Sequence, residues 1–383
     1  MSEVRVNNLS NENLSGGPTI SGITTFSSPH FFVPPQGNTA ERPQDCPPGS
    51  LRFNTDTAKL EYHRGETIGW QEVEAELTEP LGESGASGGL GYRGLVFGGY
   101  RLASPVSTQV DTIDYHNLSA AGTWLDFGDL FAGRYGTSAT ASRTRAVIMG
   151  GHSNDRNTID FVTIASLGDS TNAADLPVDH RYGASFSDNT RACVAGSYYP
   201  AQINNISYTD IATLGDAQDF GDLTVKRGII KAANSSTRGV IGGGYEGPSP
   251  NLSMDYVTIS TRGNAVDFAD TLPSTGQSGG ACESATRALW SGSYSNVIGY
   301  ITIATLGDMV DFGDNFTSRG HRPACSSPTR GFWNGGRNSS SPYPSETDVD
   351  FVQIATTGRG KDFGDLSQAR HAGGSTSNGH GGL

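Results

Sequence analysis

Residues 144–151 read Thr-Arg-Ala-Val-Ile-Met-Gly-Gly, and the phrase returns as YRGLVFGG (92–99), TRACVAGS (190–197), TRGVIGGG (237–244), TRALWSGS (286–293) and TRGFWNGG (329–336). Its arginines, Arg93, Arg145, Arg191, Arg238, Arg287 and Arg330, stand 43 to 52 residues apart. After each comes a segment alternating apolar and polar residues, such as VDTIDYHNL (110–118), TIDFVTIAS (158–166) or VDFVQIAT (349–356), which is the period of a half-buried strand. Next comes Asp-Phe-Gly-Asp, beginning at Asp126, Asp219, Asp311 and Asp362. It is varied to Asp267-Phe268-Ala269-Asp270 in one unit and reduced to Asn172-Ala173-Ala174-Asp175 in another. A run of small residues closes each unit, as in RYGTSATAS (134–142) and RHAGGSTS (370–377). Four short strands per unit are predicted, six times over.

A four-stranded sheet of this size cannot bury both faces alone, so neighbouring sheets must pack face to face. An open stack would expose the apolar faces of its two end sheets and would need caps, which the sequence does not supply. The expected fold is therefore all-β, a closed six-bladed β-propeller over residues 93–383. If the small run is the first strand of each sheet, the unit opened by Arg93 lacks one, and residues 370–377 supply it. The ring then shuts by pairing its two ends, and truncation near residue 369 destabilises all of it.

The pattern resembles kelch repeats, in which an apolar strand ends in Gly-Gly and an aromatic-containing strand follows, with four strands per blade. The resemblance spans residues 93–377 and implies a kelch-like propeller. The regularly placed Trp of kelch units is missing, Asp-Phe-Gly-Asp stands near the fourth strand instead, and no kelch partner is carried over.

Residues repeated once per unit are needed by every unit. The six arginines and the acidic elements are accordingly read as structural, an Arg fork meeting an Asp carboxylate bidentately to bind one strand or blade to the next, with a charged binding ring as the alternative. Phe127, Phe220, Phe268, Phe312 and Phe363 are expected as wedges between blades, and the joint at Ala173 and Ala174 is expected to pack less tightly.

What varies lies just after the Gly-Gly position: Tyr100, His152, Tyr198 with Tyr199, Tyr245 and Tyr294, then loops of unequal length that include Tyr343. Strand order puts them on one face. Such aromatics either stack on sugars as rigid amphipathic anchors or plug the seams between blades. The Gly-Gly pairs follow strands without opening a helix, and no GxxxxGK[ST], GxSxG or HExxH run occurs, so neither a nucleotide cradle nor a known catalytic centre is indicated. Acids that break the repeat are scattered, as Asp155, Glu246 and Glu283. The expectation is a non-enzymatic protein without cofactor or metal.

A net charge of −13 argues against nucleic acid as a partner, since phosphates would repel the chain at long range. The start MSEVRVNNLSNENLSGG lacks the basic and apolar stretches of a signal peptide, and no apolar run reaches membrane-spanning length, so neither secretion nor membrane insertion is expected. Cys46, Cys193, Cys282 and Cys325 show no metal spacing and read as small apolar residues.

Before the repeats, residues 1–30 are rich in Asn, Ser, Gly and Thr and read as an extended arm. Residues 31–76 read as a small β module, with a hairpin across Asn54 to Ala58 and a third strand at Trp70, and 77–92 as a Gly/Ser-rich linker. The module's core is thin, and association between copies would remedy that. The runs Thr39-Ala40-Glu41-Arg42-Pro43, GSLRFNTDT (49–57) and Lys59-Leu60-Glu61-Tyr62, with Trp70, resemble a short module of tail-fibre and other virion proteins of tailed bacteriophages, especially those of marine cyanobacteria. The resemblance covers roughly residues 18–76. It implies a virion structural protein, made in the host cytoplasm, whose residues 1–76 attach to other virion proteins or assemble copies into a homo-oligomer, a trimer first. The propeller would then be displayed for host attachment, with a host surface glycan as candidate ligand. The alternatives are a decoration or scaffold subunit binding only virion proteins and, third, a glycan-degrading enzyme.

Overall fold

Period-two alternation folds as antiparallel strands because it turns one row of side chains toward a core. The computed structural model describes residues 34–43, 45–57, 59–65, 69–72, 92–102, 107–152, 157–276 and 279–383, in two compact units, 1–78 and 79–383. The expected arm, nearly all of the expected linker and Asp155 fall outside the described residues. The fold is all-β; among the described residues the only helix is a 3-10 turn at Thr39–Glu41.

The first unit is a four-stranded sheet, Gln36–Gly37, Leu51–Asn54, Lys59–His63 and Trp70–Glu72, whose first pair is parallel and whose others are antiparallel. Its centre is polar. Glu61 is fully buried; it accepts from Arg42 Nε at 3.2 Å and from Asn54 Nδ2 at 2.7 Å, and Arg52 Nη1 lies 3.8 Å away. The Arg42 hydrogen bond, more than the other contacts, holds the Glu61 carboxyl below its usual pKa. Arg52 also ties Asn38 O at 3.0 Å, and Asp56 accepts from Thr39 N at 2.9 Å. The charged letters of the motif are thus one network that stands in for an apolar core.

The second unit holds six four-stranded antiparallel sheets. Sheet one is Gly374–Ser377, Arg93–Arg101, Thr108–Asn117 and Leu125–Asp129; sheet two is Ser138–Ala141, Arg145–Met149, Thr158–Thr163 and Thr171–Asp175. Sheet three is Ala184–Ser187, Arg191–Ser197, Ile203–Asp210 and Gln218–Asp222; sheet four is Lys231–Asn234, Arg238–Gly242, Ser253–Thr258 and Val266–Asp270. Sheet five is Ala281–Glu283, Arg287–Ser291, Val297–Thr302 and Val310–Asp314; sheet six is Ala324–Ser326, Arg330–Asn334, Asp348–Gln353 and Lys361–Asp365. The first strands neighbour one another in this order, and that of sheet six neighbours that of sheet one.

Each seam between successive sheets, including six to one, holds one buried apolar cluster. Phe127, Phe220, Phe268, Phe312 and Phe363 each lie in one. In sheet one Ile113 faces Gly128 and Asp114 faces Asp126, so Phe127 is the extra residue of a β-bulge. At the seam of Ala173 and Ala174, where the ring is missing, both alanines are partly buried against the cluster. Leu214, at φ +50°, lies buried in that cluster, whereas its counterparts Leu167 and Leu306 are exposed.

The repeat arginines do not pair with the acidic element, which corrects the expected Arg–Asp forks. Each guanidinium lies 4.4–5.5 Å from an aromatic ring on the third strand of its own sheet. Its Nη1 donates to a backbone carbonyl of the next sheet at 2.6–3.2 Å: Arg93 to Ile164, Arg145 to Ile211, Arg191 to Ile259, Arg238 to Ile303, Arg287 to Ile354 and Arg330 to Leu118. Carbonyls are good partners here because they lie at loop positions with no ladder bond to lose.

The buried ion pairs belong to other arginines, which precede the first strands: Arg134–Asp160, Arg227–Asp255, Arg322–Asp350 and Arg370–Asp114, each within one sheet. Sheets three and five lack both partners. His180 meets Ser207 at 3.3 Å in sheet three, and in sheet five Gly299 leaves room that Met309 fills, with Thr275 Oγ1 3.1 Å from its sulfur.

The fourth strands are covered in the same cyclic order. Gly168 N donates to Phe127 O and Ser170 N to Asp129 O, and the equivalent double bonds reach sheet three from Gly263 and Ala265, sheet five from Gly358 and Gly360, and sheet six from Gly122 and Trp124. Sheets two and four, with Ala174 and Ala269 in place of the glycine, keep only the bonds from Ala217 and Met309 among those described. A Cβ on Gly313 would come within 2.2 Å of Gly358 O, so that glycine is what allows the double approach.

Candidate functional site

Five residues that lead into first strands, Gly136, Tyr182, Ile229, His321 and Ala372, adopt left-handed backbone with φ from +55° to +66°. Four of them carry a Cβ, and Ile229 is β-branched, so the conformation is costly and must be held by its surroundings. Backbone bonds hold it: Ala372 N donates to His321 O, Gly136 N to Ala372 O, Tyr182 N to Gly136 O and Ile229 N to Tyr182 O, at 2.6–2.8 Å. These residues form a collar over one end of the first strands.

Aromatic side chains close over the collar. Tyr100 and Tyr135, Tyr135 and Tyr182, Tyr182 and His321, His321 and His371, and His371 and Tyr100 have centroids 5.0–6.1 Å apart, a complete cycle of contacts. Tyr294 joins it at His321 and His152 at Tyr135, while Tyr198 meets Tyr245 at 6.4 Å. Arg181 lies over Tyr135, Tyr182 and Tyr199, donates to Tyr135 Oη at 2.8 Å, and Arg337 lies over Tyr343. Tyr198, Tyr199, Tyr294 and Tyr343 are 39–47% exposed, enough to meet a partner in solution, while Tyr100 and His371 are packed between sheet one and its neighbours.

Of the aromatics expected on this face, Tyr100, His152 and Tyr294 touch the central cycle, Tyr198 and Tyr245 pair across the seam of sheets three and four, and Tyr199 and Tyr343 stack on arginines. Tyr135, Tyr182, His321, His371, Arg181 and Arg337 were not singled out from the sequence. Their signal was the Tyr or His recurring at the head of the small-residue runs.

Burial holds the His321 pKa down to about 4, with Lys231 and Arg337 adding repulsion, and that of His371 to about 3, with His321 and Arg337 adding to it. Burial pushes the Tyr182 hydroxyl up to about 12. At neutral pH the face therefore offers neutral imidazoles, phenol hydroxyls and arginine forks, with the exposed Glu246 beside Tyr245 among them. Below the collar all six first strands line one cavity of about 70 Å³, which holds Lys231 and Glu283. At its far end the chain after Ser377 turns inward: His380 Nε2 donates to Ala141 O at 2.8 Å, its Nδ1 accepts from Gly382 N at 3.1 Å and lies 3.5 Å from Glu283 Oε1.

Comparison with protein-family models and with curated proteins gave no match to this sequence.

Proposed function

We propose that this chain is a structural protein of a tailed-phage virion, non-catalytic, which attaches through residues 1–76 to other virion proteins, with trimeric assembly, and presents a closed six-bladed kelch-like propeller to host surface glycan. The closed ring is supported by four sets of contacts that each return to sheet one: first-strand neighbours, seam clusters, arginine bonds and fourth-strand covers. The observation that carries the binding role is the collar face, where exposed tyrosines stand beside arginines in a chain of net charge −13. Flat aromatic faces stack on the apolar side of a pyranose while guanidinium and phenol groups serve its hydroxyls, and few side-chain rotors need to be frozen. The phage assignment rests on the N-terminal motif and its resemblance.

Glycan arrays and host-cell binding by the full chain test this reading. Tyr198→Ala, Tyr199→Ala, Tyr294→Ala and Tyr343→Ala combined should abolish retention without lowering thermal stability by more than a few degrees. Binding that survives the four changes removes the receptor role. Retention on purified particles with no affinity for cells would favour the decoration subunit, and sugar release from host polysaccharide would favour the enzyme.

A further inference from the structure

We propose that the cavity enclosed by the six first strands is an anion site, in which the Lys231 ammonium and the Thr137 hydroxyl hold one small oxyanion of carboxylate or phosphate type. The site lies beneath the aromatic cycle of the tyrosine face, and its ligand does not depend on the glycan reading.

Lys231 breaks the repeat. The positions paired like it in the other sheets are Gly374, Ser138, Ala184, Gly280 and Pro323, all small or apolar. It lines both the main cavity and the smaller one directly under Tyr182 and His321. No ion pair or side-chain hydrogen bond to Lys231 is present among the described residues. The two undescribed residues between Gly276 and Gly279, Gln277 and Ser278, are of uncharged types. Lys231 keeps part of its surface exposed, and its ammonium, drawn into the cavity, is stabilised when a counter-charge meets it.

Thr137 supplies a second unmet donor. It is 5% exposed, lines the same two cavities, and its Oγ1 has no hydrogen-bond partner. Neighbouring hydroxyls are already used: Ser185 donates to Ala139 O and Ser375 to Leu95 O, both at 2.8 Å.

Glu283 does not serve as the counter-charge. Lys231 opens its strand and Glu283 closes its own, so the two sit at opposite ends of the cavity, and no ion pair joins them. Burial also raises the Glu283 carboxyl to about 8, which leaves it neutral at pH 7. The same burial lowers Lys231 to about 8, and a bound oxyanion would reverse that shift. The cavity volume of about 70 Å³ has room for a small oxyanion.

The chain has four lysines, so its 13Cε-lysine NMR spectrum is simple, and the Lys231 signal is identified by its loss in Lys231→Met. Sodium acetate and inorganic phosphate are titrated separately at constant ionic strength, with chloride as the third arm. The expected result is a saturable shift of the Lys231 signal with acetate or phosphate and none of comparable size at the other lysines. The same anion should raise the Tm of the wild type and of Glu283→Gln, with at least a tenfold loss of apparent affinity in Lys231→Met and retention in Lys231→Arg. Acetate alone would assign a carboxylate and phosphate alone a phosphate. A shift shared by all lysines, an equal Tm gain in Lys231→Met, or no saturable response up to about 100 mM overturns the proposal. If Lys231→Met does not fold, the signal is identified by its loss in Lys231→Arg, and the specificity of the shift in the wild-type spectrum decides.

Discussion

Sheets five and six occupy successive places in the same repeat and solve one position in opposite ways. Sheet six buries an ion pair, Arg322 with Asp350 at 2.6 Å, and Arg322 also donates to Trp333 O. Sheet five has Gly299 at the Asp350 position, filled by Met309. Both are closely packed, so the pair is not what makes a sheet. A buried pair roughly balances its own desolvation, and an apolar filling of equal volume does the same work. What neither sheet contains is half a pair, because a lone buried charge has nothing to offset it.

Breaking that rule gives the largest effect. Asp350→Ala strands Arg322 and should cost about 3–5 kcal/mol in urea unfolding, whereas Asp350→Leu with Arg322→Met should recover most of it. Equal losses in the single and double variants would show that sheet six, unlike sheet five, needs its charges.

The seam joining the two sheets gives the next effect. Gly313→Ala forces a Cβ to within 2.2 Å of Gly358 O at φ +136° and should cost about 2–3 kcal/mol, while Ala269→Gly, where the equivalent bond is already missing, should change stability by under about 1 kcal/mol.

A pH dependence separates the sheets further, because the cavity end of sheet five carries Glu283 where sheet six carries Ser326. Burial raises the folded pKa of Glu283 to about 8 from 4.5, so the folded state holds a proton that the unfolded state releases, and stability falls as pH rises between those values. His180, His321, His371 and His380 are lowered to between about 3 and 4 and oppose this only below about 6.5, and Lys231 acts only above about 8. Between pH 6.5 and 8 the wild type should lose about 2 kcal/mol and Glu283→Gln should stay flat, read as Tm against pH. A slope unchanged in Glu283→Gln would place the ionisation elsewhere.

The smallest effect concerns what the two sheets share. Arg287→Met removes bonds to Ile354 O and Ala355 O at 2.9 and 3.0 Å, at the surface end of the seam, and should cost about 1 kcal/mol.

The four-strand period was legible because apolar alternation and the Asp-Phe-Gly-Asp element recur at nearly constant spacing, and the phenylalanines lie in the seams because a bulge turns them there. The partner of Arg93 and its five equivalents was not legible. A backbone carbonyl has no letter in the sequence, whereas Asp does. The second set of arginines could have been found from joint loss: sheet three has His180 with Ser207 and sheet five Thr275 with Gly299, where other sheets keep Arg with Asp. Leu214 could not, since Leu167 and Leu306 carry the same letter in the same motif and differ only in backbone conformation. For the cavity, Lys231 was hidden in a run read as small residues, and Glu283 stood out only as an acid out of pattern.

Strand Arg93–Arg101 pairs with Gly374–Ser377, across a separation of 280 residues between Leu95 and Ser375. During synthesis at roughly 5–20 residues per second, this edge waits from about a quarter of a minute to about a minute for its mate. Through that interval the nascent chain shows a naked row of amide groups to any other polysome nearby, so crowded translation is where domain-swapped or aggregated copies would arise, and chaperone capture of the early sheets is where they would be prevented.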